Sequence, residues 1–195
     1  MAKTLLIILL VVGVVLGFMG CGKYNGFVQK DEQVNQAWSA VETQYQRRSD
    51  LVSQLVSTIK GSADFEQETL QSVIEARSRA TSIQLSADDL TEENLARFQA
   101  AQAQLGQGLG RLLSTAEQYP TLQTTSQFRD LQAQVEGTEN RIAVARQRFN
   151  DAATDFNTTI RTFPNNFFAG VFGFDRRALF ESDPGAAQAP VINFD

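Results

Sequence analysis

No histidine occurs in this chain of 195 residues, and Cys21 is its single cysteine. Those absences remove most zinc and non-haem iron sites, Ser-His and Cys-His nucleophile pairs and any internal disulfide. Catalysis would have to rest on carboxylates, Lys, Arg or Tyr. Positive charge is also short: the net charge is −5 and the sequence pI about 4.8. The electrostatic footprint of a nucleic-acid binder is therefore missing, and an anionic membrane surface repels the body of the chain on average. Strand-like alternation is absent after residue 23, and only four prolines interrupt the chain. With 43% apolar residues and no shift in composition, one core of ordinary size is expected.

What is present begins with an apolar amino terminus. Residues 4–22 carry no charge, and as a helix they would cross roughly 28 Å of hydrocarbon. The dense block Leu5, Leu6, Ile7, Ile8, Leu9, Leu10, Val11, Val12, Val14, Val15 and Leu16 is the expected anchor of a single-pass membrane protein. A second reading stays open. Leu16 to Cys21 (LGFMGC) is similar to a lipoprotein cleavage box, with Cys21 as the residue to be lipidated. Phe18, three residues before the cysteine, is atypical of such a box, and the flanking lysines do not set an orientation. Residues 1–23 are thus a membrane anchor or a lipoprotein signal segment, and either way the rest is tethered to a membrane.

From Phe27 the positions Phe27, Asp31, Val34, Trp38, Val41, Tyr45, Arg48, Val52, Leu55 and Ile59 alternate steps of four and three, the seam of a long helix ending near Gly61. Asp31 and Arg48 are charged positions within it, too far apart to pair, so each needs a partner elsewhere or an exit to solvent. Arg48 snorkels past Tyr45 to the rim or pairs across helices, with Glu139 as candidate. A second helix is expected from Asp64 to about Ser82, then a loop with Ser86 or Thr91 as N-cap. The third helix carries Leu95, Phe98, Gln102, Leu105, Leu109, Leu112 and Ala116 as its seam. Gly106, Gly108 and Gly110 each weaken it by about 1 kcal/mol relative to Ala. Gly106 and Gly110 share a face that admits another helix closely, and no basic strand-loop context supports a phosphate loop.

Tyr119-Pro120 breaks that helix. A long fourth helix then runs from a Ser126 cap to Pro164, with Phe128, Leu131, Val135, Thr138, Ile142, Ala145, Phe149, Ala152, Phe156, Thr159 and Phe163 as its heptad seam. The expected fold is all-α: an N-terminal membrane helix followed by an antiparallel four-helix bundle with long first and last helices. Its parts are the bundle over 24–163, a Phe-rich collar over 164–180 and a disordered tail over 181–195. Four alternating helices return the last one toward the membrane. That places Phe163, Phe167, Phe168, Phe172 and Phe174 at the membrane-proximal end, as a cap over the bundle or as a partner or membrane contact. Arg48, Glu139, Arg141 and Arg146 are the expected interhelical polar contacts. No catalytic, cofactor or metal residues are assigned, since di-metal bundles use Glu-x-x-His pairs and the chain has no histidine.

Several blocks in order carry a family resemblance: YNGFV (Tyr24 to Val28), VNQAW (Val34 to Trp38), QYQRRSDLVSQLVSTIKG (Gln44 to Gly61), EAR (Glu75 to Arg77), EQYPTL (Glu117 to Leu122), GTENRIAVARQRFN (Gly137 to Asn150) and FPNNFFAGVFGF (Phe163 to Phe174). With the hydrophobic amino terminus, the chain resembles the LemA proteins of bacterial membranes over nearly its whole length. Family members usually carry Ile-Pro-Asn-Leu where this chain has Val52-Ser53-Gln54-Leu55, so a proline kink is lost here. The cysteine before Tyr24 is not general to the family. The resemblance implies one membrane anchor, a helical bundle and no established activity. Family members look like partners in envelope quality control, sometimes encoded beside a membrane metalloprotease, and a related branch acts in magnetosome membrane biogenesis. The expected role is a non-catalytic, membrane-anchored scaffold or adaptor of the bacterial envelope with a protein partner or a homo-oligomer, without cofactor and without nucleic acid. The alternative is a lipid-contacting, membrane-shaping protein that uses Phe163 to Phe174.

Overall fold

A computed structural model of the chain describes residues 2–61 and 65–181. Its regular elements are all helical among the described residues: α1 (Ala2–Lys60), α2 (Gln67–Ser82), a 3-10 turn (Ala87–Asp89), α3 (Glu92–Ala116), α4 (Pro120–Gln123), α5 (Ser126–Arg161) and α6 (Asn165–Phe172). Of the tail expected to be disordered, only Glu181 falls within the described residues. No proline precedes Pro120, and α1 continues without a break from the apolar segment into the body, about 88 Å in all. Val52-Ser53-Gln54-Leu55 passes as ordinary helix, as expected once a main-chain donor replaces proline.

Local chemistry sets the helix ends. Thr91 is the N-cap of α3, its hydroxyl accepting from the Asn94 N–H at 3.2 Å. Ser86 caps the 3-10 turn in a reciprocal box with Asp89, and the Ser86 hydroxyl and N–H on that carboxylate hold its pKa below the usual range. Pro120 opens α4 at its first position. α5 starts at Ser126, with Thr125 outside it, and stops at Arg161, ahead of the expected Pro164, which stands at the N-cap of α6.

α1 and α5 run antiparallel, since Lys30 pairs with Asp155 toward one end and Arg48 with Glu139 further along. α2 and α3 are likewise antiparallel: Gln102 donates to the Ala80 carbonyl, while Gly108 lies against Val73. The apolar interior divides into two clusters. The distal one joins α1 (Leu51 to Ile59), α2 (Leu70 to Ala80), α3 (Leu105 to Ala116) and α5 (Phe128 to Val135). The proximal one joins Phe27 to Tyr45 of α1, Leu95 and Phe98 of α3 and Ile142 to Ile160 of α5. α2 stops at Ser82 and contributes nothing to it. Leu85, Leu90, Phe168, Ala178 and Phe180 complete that half instead. The buried polar residues Arg48, Ser49, Gln102 and Thr138 fall between the two clusters in sequence.

The seam of α5 departs from a strict heptad. Phe128 to Phe149 are buried at the expected positions, but Ala153 and Ile160 then replace Ala152 and Thr159, and Phe163 leaves the core. A helix turning every 3.6 residues drifts by about 20° per heptad against a 3.5 repeat, so over five heptads the seam slips by one residue. Close approach at α3 also differs from expectation. A methyl on Gly108 would meet Val73 and Ala76 within 3.6 to 3.9 Å and one on Gly106 would meet Arg48 at 3.8 Å, whereas Gly110 faces open space.

Candidate functional site

Three features of the proximal half are candidates: an aromatic foot, an extended strap and the polar layer above them. The foot is α6. Its inner side is Phe168 and Ala169, both buried. The α1 backbone comes close enough that a Cβ on Gly20 would stand 3.5 Å from Phe168 and 3.6 Å from Phe172. Tyr24 packs edge-on to Phe172 at 5.3 Å between centroids, and Phe174 meets Phe27 at 5.4 Å and Phe156 at 6.2 Å. The outer side is Phe167 and Val171, exposed at 67% and 65%, with Phe163 in the turn before α6 exposed at 84%. Of the five phenylalanines expected as contacts, then, Phe163 and Phe167 face outward, Phe172 is partly covered, and Phe168 and Phe174 turn inward as a cap. Gly173, at φ 76°, ends α6 and turns the chain back along the body.

The strap is residues 174–181, extended and without a strand partner among the described residues. Two asparagines of α5 receive it. Asn157 accepts from the Arg177 N–H and donates to the Arg177 carbonyl, both at 2.8 Å. Asn150 accepts from the Phe180 N–H at 2.9 Å and donates to its carbonyl at 3.0 Å. The Arg177 guanidinium grips Asp31 through two bonds of 2.9 and 3.0 Å and donates a third, of 3.0 Å, to the Ala87 carbonyl. Phe180 stacks on Trp38 at 6.1 Å, meets Phe149 edge-on at 5.5 Å, and lies under the Arg146 guanidinium at 4.7 Å. The Trp38 indole donates to the Leu85 carbonyl at 3.0 Å, which ties the loop before α3 to the same corner.

The polar layer centres on Arg48, 4% exposed. Its guanidinium donates to Glu139 at 3.1 and 3.3 Å, to the Gln102 carbonyl at 3.0 Å and to the Gln102 side-chain oxygen, and it lies 5.0 Å over the Tyr45 ring. Arg146 is not in that ion pair; it donates to the Glu181 carbonyl at 3.1 Å, at the end of the strap. Arg141 is exposed and makes no ion pair among the described residues. Glu42, a helical turn beyond Trp38, has its carboxyl pKa pushed up by desolvation. Among the described residues no group of three His, Cys, Asp or Glu side chains could hold a metal.

Among the described residues no helix is long and apolar enough to cross a membrane. Of the expected anchor, the side chains of Leu5, Leu9, Val12, Val14, Val15 and Leu16 lie outside the described residues. Leu6, Ile7, Ile8, Leu10 and Val11 are described, and all are 53% to 66% exposed. Cys21 is a free, exposed thiol. The strap contacts of Asn150, Asn157 and Arg177 were missed by sequence reasoning, whereas Asp31, a charged seam position in need of a partner, finds it in Arg177. Two asparagines seven residues apart, in a helix where Asn is a weak former, were the one available signal.

These features define a class: an all-helical body whose proximal half is closed by a short helix and an extended strap. The LemA family profile matches residues 37–194, and the chain belongs to the LemA family. It is similar to magnetosome protein MamQ 2 of Paramagnetospirillum magneticum, 28% identical with 87% of this chain and 68% of that protein covered. Magnetosome protein MamQ of Magnetospirillum gryphiswaldense matches at the same identity and coverage. Protein LemA of Metamycoplasma hominis is 24% identical over 85% of this chain and 72% of its own length.

Proposed function

We propose that this chain is a non-catalytic, membrane-anchored scaffold or adaptor of the bacterial envelope. Residues 4–22 insert in the bilayer and the helical body stands on it to engage a protein partner. The observation that carries this reading is the continuity of α1 from Ala2 to Lys60. No linker separates the apolar segment from the body, so inserting the first fixes the second as an upright post. Insertion is favoured by Leu6, Ile7, Ile8, Leu10 and Val11, which find no cover in the body and each gain about 1.5 to 3 kcal/mol when fully buried. A body held in one orientation presents the same face to every neighbour, as a scaffold requires. Photo-cross-linking from Val144, half exposed on α5, in intact cells tests this. A specific protein neighbour or a second copy is expected, and recovery of uncross-linked monomer alone would overturn it.

The outer side of α6 supports a second reading, in which the foot rests on lipid. Phe163, Phe167 and Val171 are exposed, while Phe168 and Phe172 of the same segment lie against Gly20, where α1 enters its apolar run, and interfacial helices place large apolar residues at that depth. Phe167→Trp in vesicles of brominated lipid should show quenching of the new indole, while buried Trp38 stays bright. An unquenched Trp at position 167 would lift the foot off the membrane. Membrane shaping would need, in addition, vesicle deformation that Phe163→Ser with Phe167→Ser abolishes.

A further inference from the structure

The strap is held the way peptide-binding grooves hold peptides. Its backbone is bound through Arg177 and Phe180 by the amides of Asn157 and Asn150. Seven residues of helix advance about 10.5 Å, and three residues of extended chain advance about 10 Å. The two asparagines therefore repeat along α5 at the spacing of an extended chain. Main-chain bonds of this kind are blind to side-chain identity, and selectivity comes from pockets. Two pockets are present: the Asp31 carboxylate with the Ala87 carbonyl for a guanidinium, and the Trp38–Phe149 corner under Arg146 for an aromatic ring.

The cleft is also roomier than its occupant. Between the strap and the first turns of α3 lies a cavity of about 530 Å³, lined by Thr91, Leu95, Ala96 and Gln99. A second, of about 840 Å³, opens where the strap begins and is edged by Asp31, Glu92 and Glu93. Both exceed the volume of a large side chain, and the charged residues that α1 and α3 contribute to the second are acidic, while the strap contributes Asp175, Arg176 and Arg177. No strand pairing among the described residues ties the strap to the body: it leaves α6 at Gly173, the left-handed cap of that helix.

We infer that the cleft between α1, α3 and α5 is a peptide-recognition groove. It takes an extended segment of a partner protein carrying arginine and, three residues later, an aromatic, and residues 174–181 are its resting occupant. The inference rests on the adaptor reading and names the contact through which it works. Asp31 and the Ala87 carbonyl select the arginine, and the spacing of Asn157 and Asn150 sets the distance between arginine and aromatic. A strap tethered in cis competes at a local concentration of order millimolar. The partner segment therefore enters only when it is held nearby on the same membrane or when the strap is weakened.

The test uses the full chain in lipid nanodiscs and a fluorescent peptide copying residues 174–181 (FDRRALFE). Anisotropy should show weak binding to the unaltered chain and at least tenfold tighter binding to the Arg177→Ala, Phe180→Ala chain. Adding Asn157→Ala and Asp31→Ala to that chain should abolish it. An Asp31→Arg groove should prefer a peptide with Asp in place of the arginine that copies Arg177. A second measurement does not depend on the strap variants folding: millimolar peptide on the unaltered chain should speed hydrogen exchange of strap amides. Absence of binding to the weakened chain, with strap exchange unchanged by peptide, overturns the groove. If the weakened and unaltered chains instead form a mixed dimer through the unaltered strap, the occupant is a second copy and the partner-protein assignment is overturned. Failed cross-linking from Val144 with intact peptide binding would sink the adaptor reading and leave the groove standing.

Discussion

Asn157 is the sharpest place to perturb the closure of the proximal half. It is 6% exposed and spends its side chain on two bonds of 2.8 Å to the Arg177 backbone. Each bond is worth about 1 kcal/mol net, so Asn157→Ala should cost the docked strap about 2 kcal/mol, a factor of about 30 in its opening equilibrium. The loss is limited to local opening, because a strap that swings away at Gly173 regains water on both groups. The global unfolding midpoint should therefore move less than the strap does. Asn157→Asp separates donor from acceptor. It still accepts from the Arg177 N–H but turns a carboxylate oxygen on the Arg177 carbonyl, so it should loosen the strap at neutral pH. Protonation in acid restores a donor and should tighten it again. Hydrogen exchange resolved to residues 174–181, on full-length protein in micelles, reads all three chains. Unchanged exchange at Arg177 in a folded Asn157→Ala protein would refute the account of how the strap is held.

Further expectations concern the body. Gly110→Ala and Gly137→Ala add methyls that meet nothing within 4 Å, and each should stabilise by about 0.5 to 1 kcal/mol in urea denaturation. Glu139→Gln should cost under about 1 kcal/mol, because the Glu139 side chain is 44% exposed and solvent screens the pair. Arg48→Ala should cost about 3 kcal/mol, since it empties a buried site and takes the guanidinium donor from the Gln102 side-chain oxygen and carbonyl; equal losses from the two variants would contradict the layer as described. Glu42 has its carboxyl pKa raised by burial, so the folded state binds its proton more readily than the unfolded chain does. Its contribution to stability is full below the unfolded pKa and is lost as pH rises through the folded one. Glu42→Gln should therefore gain stability at pH 7, with the gain vanishing in acid, as thermal melts across that range will report.

Much of the body was legible because helical periodicity is a local property. The spacing of Phe27, Val34, Trp38 and Val41, and of Leu95, Phe98, Gln102 and Leu105, names the buried faces of α1 and α3 without knowledge of any partner. Extrapolation failed where a small error accumulates, as in the last turns of α5, where the drift between 3.5 and 3.6 residues moved Ala152, Thr159 and Phe163 off the seam. It also failed where a neighbour decides. Which of three glycines α2 approaches depends on the rotation of α3, and that fell to Gly108 rather than Gly110.

The all-helical character, the apolar amino terminus and the aromatic segment near Pro164 follow from composition and spacing, which act over a few turns of chain. How the phenylalanines divide between cap and surface does not, because it depends on Gly20 of α1 reaching Phe168 and Phe172. The strap could not be read in advance either. It has no periodicity, and its contacts join groups 20, 30 and 146 positions apart. Asn150 and Asn157 read as ordinary helix polars until the fold brings an extended chain against them, and Asp31 shows the need for a partner without naming it. A hydrogen-bonding side chain carries no mark of its partner, whereas an apolar face advertises its need for cover wherever it lies.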